Sequence, residues 1–356
     1  MKEPEGYRRS IVGRGAAENP KNRFERIEVK PEPEGADAVE SGPETVYLRD
    51  ASRSIIARND SPDIGFGASI NPYRGCSHGC VYCFSRPNHE YLGFSAGLDF
   101  ESRILVKVNA PELLHGELSS PHWEPQVIAM SVATDCYQPV EKKLRLTRRC
   151  LEVLVEFRNP VAVVTKNHLV TRDIDLLSEL ARHEAAVVMI SLTTLDDDLR
   201  RVMEPRTSRP TRRLATIEAL VRVGLPVGVM VAPVIPGLTD HEMPALLSAA
   251  AEAGASFAAY TPVRLPYAVA PLFEDWLERH FPERKEKVLN RIRAMRGGKL
   301  NDPRFSTRMR GEGIFAEQIK QLFSISCRRA GIRQRRSPKL STAAFRRPGL
   351  QPTLFD

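Results

Sequence analysis

The feature that most limits the fold is an alternation of short apolar segments with amphipathic ones between residues 56 and 265. Runs that are apolar at nearly every position are typical of strands buried on both faces of a parallel sheet. Five such runs are QVIAMSVAT (126–134), VAVVTK (161–166), AAVVMISL (185–192), PVGVMVAPVI (226–235) and ASFAAYTPV (255–263). With a first strand near FGASINPY (66–73), they predict an α/β fold of about six βα units.

The segments between these runs carry apolar residues three and four positions apart, as in LTRRCLEVLVEF (146–157) and PTRRLATIEALVRVG (210–224). This spacing predicts helices that pack one face on the sheet. We therefore expect a partial (β/α)6 TIM-like barrel, followed by a C-terminal helical extension. The chemistry of such a barrel lies at the C-terminal ends of its strands.

Half of the cysteines fall within eight residues, as Cys76, Cys80 and Cys83 in the pattern C-x3-C-x2-C after the first predicted strand. Clustered thiolates select zinc, copper(I) or iron–sulfur clusters. With His78 or His89 as a fourth ligand, the loop could be a structural zinc site, although zinc spacing usually brings a second ligand pair a dozen or more residues later. The alternative is a four-iron cluster with one iron left open for a cofactor.

The C-x3-C-x2-C loop, with the aromatic Tyr82 before its last cysteine, resembles the radical S-adenosylmethionine (SAM) superfamily over residues 66–265. In that family the open iron chelates the methionine end of SAM, and an electron from the [4Fe-4S] cluster generates a 5′-deoxyadenosyl radical that abstracts hydrogen from the substrate. The resemblance implies an enzyme that needs a [4Fe-4S] cluster, SAM and an electron donor of the flavodoxin or ferredoxin type.

Within this superfamily the chain most resembles the spore photoproduct lyase branch. There a lysine on the third strand and a serine on the fourth hold the methionine carboxylate and the ribose, and Lys166 and Ser191 match these positions. Ile235 lies in a segment similar to the one that packs along the adenine. The other polar residues that follow strands can be turn or capping residues or part of the same pocket; they are Thr134, Asp135 and, in the loop above the fourth strand, Arg206.

Spore photoproduct lyase returns a hydrogen atom to its product from a cysteine near the end of the second strand. Cys136 in SVATDCYQP falls a few residues beyond that position. A hydrogen donor must come almost into contact with the product radical. Because of this shift, a resemblance in fold does not imply the same reaction. Cys136 is thus either a hydrogen donor or a small packed side chain.

Charge and composition divide the rest of the chain. From Arg328 onward eight basic side chains face one acid, Asp356, and this excess favours a polyanion such as DNA or other nucleic acid. The start of the chain is rich in Glu, Pro and Gly and lacks an apolar period. The predicted divisions are a polar, disordered extension (1–55), the radical SAM barrel (56–265), the helical extension (266–330) and a basic, disordered tail (331–356).

The last residues, QPTLFD, contain Gln351, Leu354 and Phe355 in a Q-x-x-L-F pattern. This pattern resembles the peptide with which bacterial repair and replication proteins bind the sliding clamp. We therefore expect the clamp as a candidate partner.

The sequence leaves three functions open. The first is radical SAM chemistry on nucleic acid, similar to spore photoproduct lyase repair. The second is radical modification of a protein, an RNA or a small metabolite. The third is a zinc-stabilised nucleic-acid-binding module without catalysis. Because no signal peptide and no apolar run of membrane-spanning length is found, we expect the cytoplasm and no membrane.

Overall fold

The computed structural model of this chain describes residues 11–24, 42–334 and 337–349. Over these residues the strands are β1 (Val46–Arg49), β2 (Ile56–Arg58), β3 (Ala68–Ile70), β4 (Tyr73–Arg74), β5 (Arg103–Val106), β6 (Ile128–Met130), β7 (Val161–Thr165), β8 (Ala186–Ser191), β9 (Val227–Val234), β10 (Phe257–Pro262) and β11 (Arg333–Gln334).

The α-helices over the same residues are α1 (Leu98–Ser102), α2 (Ala110–Ser119), α3 (Glu141–Leu144), α4 (Leu146–Phe157), α5 (Ile174–Ala181), α6 (Asp197–Met203), α7 (Pro210–Arg222), α8 (Met243–Glu252), α9 (Val269–His280), α10 (Pro282–Met295), α11 (Thr307–Arg310) and α12 (Gly313–Arg329). Short 3₁₀ helices cover Arg86–Leu92, His168–Asp173 and Asp240–Glu242.

The main sheet has eight strands in the order β11-β10-β9-β8-β7-β6-β3-β2. Strands β3 and β6 to β11 run parallel, and β2 pairs antiparallel with β3 at the edge. Among the described residues the two edge strands, β2 and β11, do not pair with each other, so the sheet stays open. The arrangement is the expected partial barrel, and the C-terminal ends of its strands meet at one side.

Each of the six strands expected from the apolar runs is present, although most are shorter than the runs. Helix α4 has the bounds that its apolar spacing predicts, because Leu146, Cys150, Leu154 and Phe157 lie on one face and are all buried. A smaller sheet, in the order β1-β5-β4, lies outside the barrel sheet.

The helical extension packs beside the cysteine loop. Phe273 and Trp276 of α9 and Leu289 of α10 share a buried cluster with Cys80 and Tyr82. The indole of Trp276 donates a hydrogen bond to the carbonyl of Val202, at 3.0 Å. The extension thus packs against the part of the fold that carries the cysteines.

The N-terminal segment differs from the disordered extension that its composition suggested. Arg14 and Ala16 are only 6% and 1% exposed. The buried carboxylate of Glu101 accepts the backbone N–H groups of Gly15 and Ala16, at 3.1 and 2.9 Å. A sequence of low hydrophobicity is ordered here because a buried acid supplies hydrogen bonds that a composition average does not reveal.

The basic tail also differs from the expectation over residues 337–349. Phe345 packs against Phe157, with ring centroids 6.2 Å apart. Arg346 and Arg347 donate side-chain hydrogen bonds to backbone carbonyls, including that of Trp123 at 2.9 Å. The C-terminal peptide with Gln351, Leu354 and Phe355 lies outside the described residues. No helix within the described ranges is long and apolar enough to cross a membrane.

Candidate active site

The cysteine loop follows β4 and leads into the first 3₁₀ helix. Two glycines with positive φ shape the loop, Gly75 at +80° and Gly79 at +69°. Residues that carry a side chain rarely adopt this backbone conformation. The loop is fixed at both ends, because the N–H of Cys76 donates to the carbonyl of Phe100 at 2.9 Å and the N–H of Val81 donates to that of Met203 at 3.1 Å.

The three predicted cluster ligands lie together in this loop as free thiols, with Cys76 and Cys80 buried and Cys83 half-buried. Burial raises the pKa of the Cys76 thiol to about 12 and also raises the pKa values of Cys80 and Cys83. In the part of the chain that the structure describes, no three His, Cys, Asp or Glu side chains could hold a single metal ion. A four-iron cluster asks for different geometry, because each thiolate ligates its own iron. The all-thiol donor set fits such a cluster.

A buried carboxylate, Glu204, organises the space next to the loop. It is 0% exposed and pairs with the guanidinium of Arg213. The hydroxyl of Tyr82 donates to Glu204 Oε1, and the hydroxyl of Thr193 donates to the same oxygen at 2.7 Å. Burial alone would raise the pKa of Glu204, but Arg213, Lys166 and the Tyr82 hydrogen bond together lower it below the ordinary value. Glu204 is therefore a buried anion.

The ammonium of Lys166, one residue past the end of β7, lies in the same space. It is 3.1 Å from Glu204 Oε1, 3.1 Å from Thr193 Oγ1 and 3.3 Å from the carbonyl of Ala232. It also lies 5.7 Å from the centre of the Tyr82 ring. The structure therefore places Lys166 and Tyr82, two of the predicted cofactor-binding residues, close together, and Glu204 contacts both.

Asp135 connects the end of β6 with the cysteine loop. Its carboxylate accepts the Thr165 hydroxyl at 2.7 Å and the Lys166 N–H at 2.8 Å. The same carboxylate lies 3.4 Å from Nδ1 of His78, which is buried between the first two cysteines. Burial lowers the pKa of His78. Asp135 thus contacts both the cysteine loop, through His78, and the backbone of Lys166.

Three further predicted residues line this end of the barrel. The hydroxyl of Thr134 donates to the carbonyl of Tyr73 at 2.9 Å. Ser191 is 6% exposed, and its carbonyl accepts from Arg213 at 3.0 Å. Ile235 is fully buried in the cluster that holds Cys80. The Ser191 hydroxyl has no hydrogen-bond partner among the described residues, so it remains available to a sugar hydroxyl.

Two predicted residues lie elsewhere. Cys136 is 0% exposed and belongs to the barrel core, where burial raises the pKa of its thiol. This placement speaks against the hydrogen-donor role and favours the packed side chain. Arg206 does not reach the barrel interior, because its guanidinium donates to the carbonyl of Gly13 at 3.0 Å and to the Thr45 hydroxyl at 3.3 Å. It holds the N-terminal segment instead of a cofactor.

Sequence reasoning missed Glu204 and Arg213. Both lie in the run MEPRTSRPTRR, which looks like a solvated charged loop because its charges are spaced without an apolar period. The signal that separates them from their neighbours is an acid directly after the buried Met203, at the end of an amphipathic helix. Such an acid has to be paired, and Arg213 is the partner.

The family model described as the radical SAM superfamily matches residues 70–250, just over half of the chain. An uncharacterized protein of Mycobacterium tuberculosis is 39% identical over 220 residues, which are 61% of this chain and 65% of that protein. The chain thus spans just under two thirds of that relative. A protein of Pseudomonas phage M6 named radical SAM Nalpha-GlyT isomerase is 28% identical over 217 residues, 60% of this chain and 43% of that one.

A solved structure of spore photoproduct lyase complexed with dinucleoside spore photoproduct has a TM-score of 0.57 over 81% of each chain, at 16% identity. A mutant of that lyase with bound AdoMet and the same dinucleoside gives 0.57 at 15% identity, over 86% of this chain and 87% of that one. These similarities concern the fold. From the family match, this chain belongs to the radical SAM superfamily, whose cofactors are a [4Fe-4S] cluster and SAM.

Proposed function

We propose that this protein is a radical SAM enzyme that binds its cluster through Cys76, Cys80 and Cys83, holds SAM beside Lys166, and acts on nucleic acid. The observation that carries the proposal is the convergence of the three-thiol loop and the Lys166 ammonium at the C-terminal ends of the barrel strands. When bound, the cluster and SAM supply an electron and a hydrogen-abstracting 5′-deoxyadenosyl radical.

The residues of the chain do the positioning. Cys80, Tyr82 and Ile235 pack into an apolar cluster with α9, which limits the access of water to the loop. Glu204 fixes the Lys166 ammonium and the Tyr82 hydroxyl at the loop side of the barrel. A SAM carboxylate that binds Lys166 would share this ammonium with Glu204. Glu204 would still be paired with Arg213.

A nucleic-acid substrate is supported by the surface around the loop. Phe84, directly after the last cysteine, is 47% exposed and lies 4.6 Å from the guanidinium of Arg264. Tyr267 is 65% exposed and lies 3.7 Å from that of Arg23. Exposed rings among cations are the usual platform for unpaired bases. The dinucleoside bound in the solved lyase structure adds weight to the same substrate class.

We propose two partners for the C-terminal part of the chain, nucleic acid and a sliding clamp. The tail arginines that do not bind the protein's own carbonyls would add nonspecific contacts to phosphates. The peptide with Gln351, Leu354 and Phe355 would bind a sliding clamp. Radical SAM enzymes also generally need an electron donor, for which we propose a flavodoxin or ferredoxin.

The test of the substrate class is a binding comparison on the anaerobically reconstituted protein. Fluorescence anisotropy with labelled single-stranded DNA, duplex DNA and RNA should give salt-dependent affinity for at least one of them. Adding the nucleic acid that binds should then raise the amount of 5′-deoxyadenosine formed above the amount formed without nucleic acid. Formation of 5′-deoxyadenosine with no nucleic acid bound at low salt would favour a protein or metabolite substrate instead.

A further inference from the structure

A cavity of about 350 Å³ lies beside the cysteine loop, and this volume is in the range of small-ligand sites. Its wall includes Gly75, directly before Cys76, and Ser85, two residues after Cys83. Ser85 therefore lies close in the chain to a proposed cluster ligand and also borders the cavity. Thr134, in the loop that follows β6, completes this side. A ligand in the cavity would lie next to the reaction centre.

Lys107, directly after β5, is the unusual residue of this wall. It is only 9% exposed, and its side chain borders the cavity. Within the described ranges, no acid or carbonyl lies at ion-pair or hydrogen-bond distance from its ammonium. Burial, with a smaller effect from Arg74, lowers the pKa of Lys107. A lysine that is largely withdrawn from solvent and has no direct ion-pair partner favours an anion in the site.

A second cation, Arg74, borders the same cavity and already contacts two side chains of the protein. Its Nε lies 2.8 Å from the carboxylate of Asp50, and its Nη2 donates to the Ser52 hydroxyl at 2.9 Å. Asp50 therefore offsets one of the two positive charges. Glu117, the other acid that acts on Lys107, accepts the N–H groups of Ile55 and Ile56. Both cations line the cavity, whereas neither acid does, so the lining of the cavity itself carries positive charge.

Neutral donors and an aromatic rim complete the site. The amide oxygen of Asn71 accepts the N–H of Ala133 at 3.1 Å, which turns its NH2 group toward other partners, and the exposed Asn88 lies on the same wall. Tyr91 forms the rim, is 71% exposed and packs against Phe24 with ring centroids 4.7 Å apart. An anion inside and an aromatic face outside match the two parts of a nucleotide.

We propose that this cavity binds one phosphate of a nucleic-acid strand, with Lys107 and Arg74 as its cationic ligands and Tyr91 beneath an adjacent base. The inference rests on the nucleic-acid substrate proposed above and adds the place where the strand is held. Binding the phosphate supplies the missing partner of Lys107, because charge-assisted hydrogen bonds to phosphate are among the strongest in proteins. The adjacent nucleotide would then lie at the mouth of the barrel.

The experiment measures the affinity of a labelled twelve-nucleotide oligothymidylate by anisotropy for the reconstituted wild type, Lys107→Met, Lys107→Arg and Lys320→Ala. Met keeps the length of the buried stem and removes the charge, Arg restores a charge, and Lys320 is a 64% exposed lysine on α12. We expect the affinity of Lys107→Met for the oligonucleotide to fall by about tenfold or more. The affinities of Lys107→Arg and Lys320→Ala should stay within about threefold of the wild-type affinity. SAM affinity and unstimulated SAM cleavage should not change in Lys107→Met.

The outcomes separate the two proposals. If the wild type binds the oligonucleotide and Lys107→Met binds it equally well, the phosphate site is refuted and the substrate class stands. If Lys107→Met loses SAM affinity, the cavity belongs to the cofactor and the site is refuted. If the wild type binds no nucleic acid, the proposed substrate fails. Inorganic phosphate then decides: a phosphate-dependent rise in melting temperature that Lys107→Met abolishes supports an anion site, and no rise refutes it.

Discussion

Among the individual residues, Glu204 is the one on which the site depends most. It is fully buried and contacts Arg213, Lys166, Tyr82 and Thr193. Replacing it with Gln removes the anion that pairs with the buried Arg213 and the half-buried Lys166. Breaking a buried charge network in this way typically costs about 3–5 kcal/mol. We expect Glu204→Gln to lower the melting temperature strongly at neutral pH.

The pH dependence of this effect has a definite sign. The pKa of Glu204 is lowered in the folded chain, so its contribution is complete above the ordinary glutamate pKa of 4.5. It is lost progressively as the pH falls below that value toward the folded pKa. The difference in melting temperature between the wild type and Glu204→Gln should be constant from pH 7 to pH 6 and narrow below about pH 4.5. A difference that widens on acidification would contradict the assignment of Glu204 as a buried anion.

Lys166 is the residue for which structure and sequence make the sharpest joint prediction. In Lys166→Met the cluster should assemble, because Lys166 is not a ligand, while SAM affinity falls by about one to two orders of magnitude, the usual effect of losing a charge-assisted hydrogen bond. Calorimetric titration of SAM into the reconstituted variant measures this. An unchanged affinity with intact cluster absorbance would show that Lys166 only balances the charge of Glu204.

The residues also show where sequence reasoning ends. The spacing of Cys76, Cys80 and Cys83 predicts a ligand loop for an iron–sulfur cluster, and the structure shows the three residues as free thiols on one loop. Cys136 and Arg206 could not be placed, because a residue beyond a strand end can turn inward or outward. The structure turns Cys136 into the core and Arg206 toward Gly13. No local pattern distinguishes these directions.

At the scale of elements, the strands and the major helices followed from periodicity, since a buried parallel strand and an amphipathic helix leave different signatures. What the pattern could not show is the docking of polar segments. The N-terminal segment around Gly15 and the tail around Phe345 are held by hydrogen bonds to a buried acid and to backbone carbonyls. Such partners are distant in the chain, so composition alone suggested disorder.

The contact between the N-terminal segment and the cysteine loop can be tested with a single methyl group. A Cβ at Gly15 would lie 1.9 Å from the carbonyl oxygen of Gly79, which is backbone of the loop. We expect Gly15→Ala to destabilise the protein by about 1–3 kcal/mol, as overpacking does, and to shorten the lifetime of the cluster in air.

The matched control is Gly116→Ala on α2, where nothing lies within 4 Å of the added Cβ. This helical position should become neutral or slightly more stable. The decay of cluster absorbance after exposure to air measures both variants. Equal decay in Gly15→Ala and the wild type would mean that the segment does not protect the loop.

At the scale of the whole molecule, the tail joins distant parts of the barrel. Phe345→Ala should cost about 1–3 kcal/mol, less than a fully buried ring, because the side chain is half-buried against Phe157. Phe305→Ala, at a ring that is 57% exposed, is the control and should have little effect. Thermal unfolding compares them. Equal melting temperatures for the two variants would show that the tail does not contribute to stability.

Whether the whole protein is a radical SAM enzyme is tested most directly by two measurements on the anaerobically reconstituted chain: its metal content and the products formed from SAM after reduction. We predict about four iron atoms and four sulfides per chain, SAM cleavage to 5′-deoxyadenosine, the loss of both in Cys80→Ala, and the retention of iron in His78→Gln. One zinc atom per chain with no 5′-deoxyadenosine, or full cluster absorbance in Cys80→Ala, would contradict this prediction.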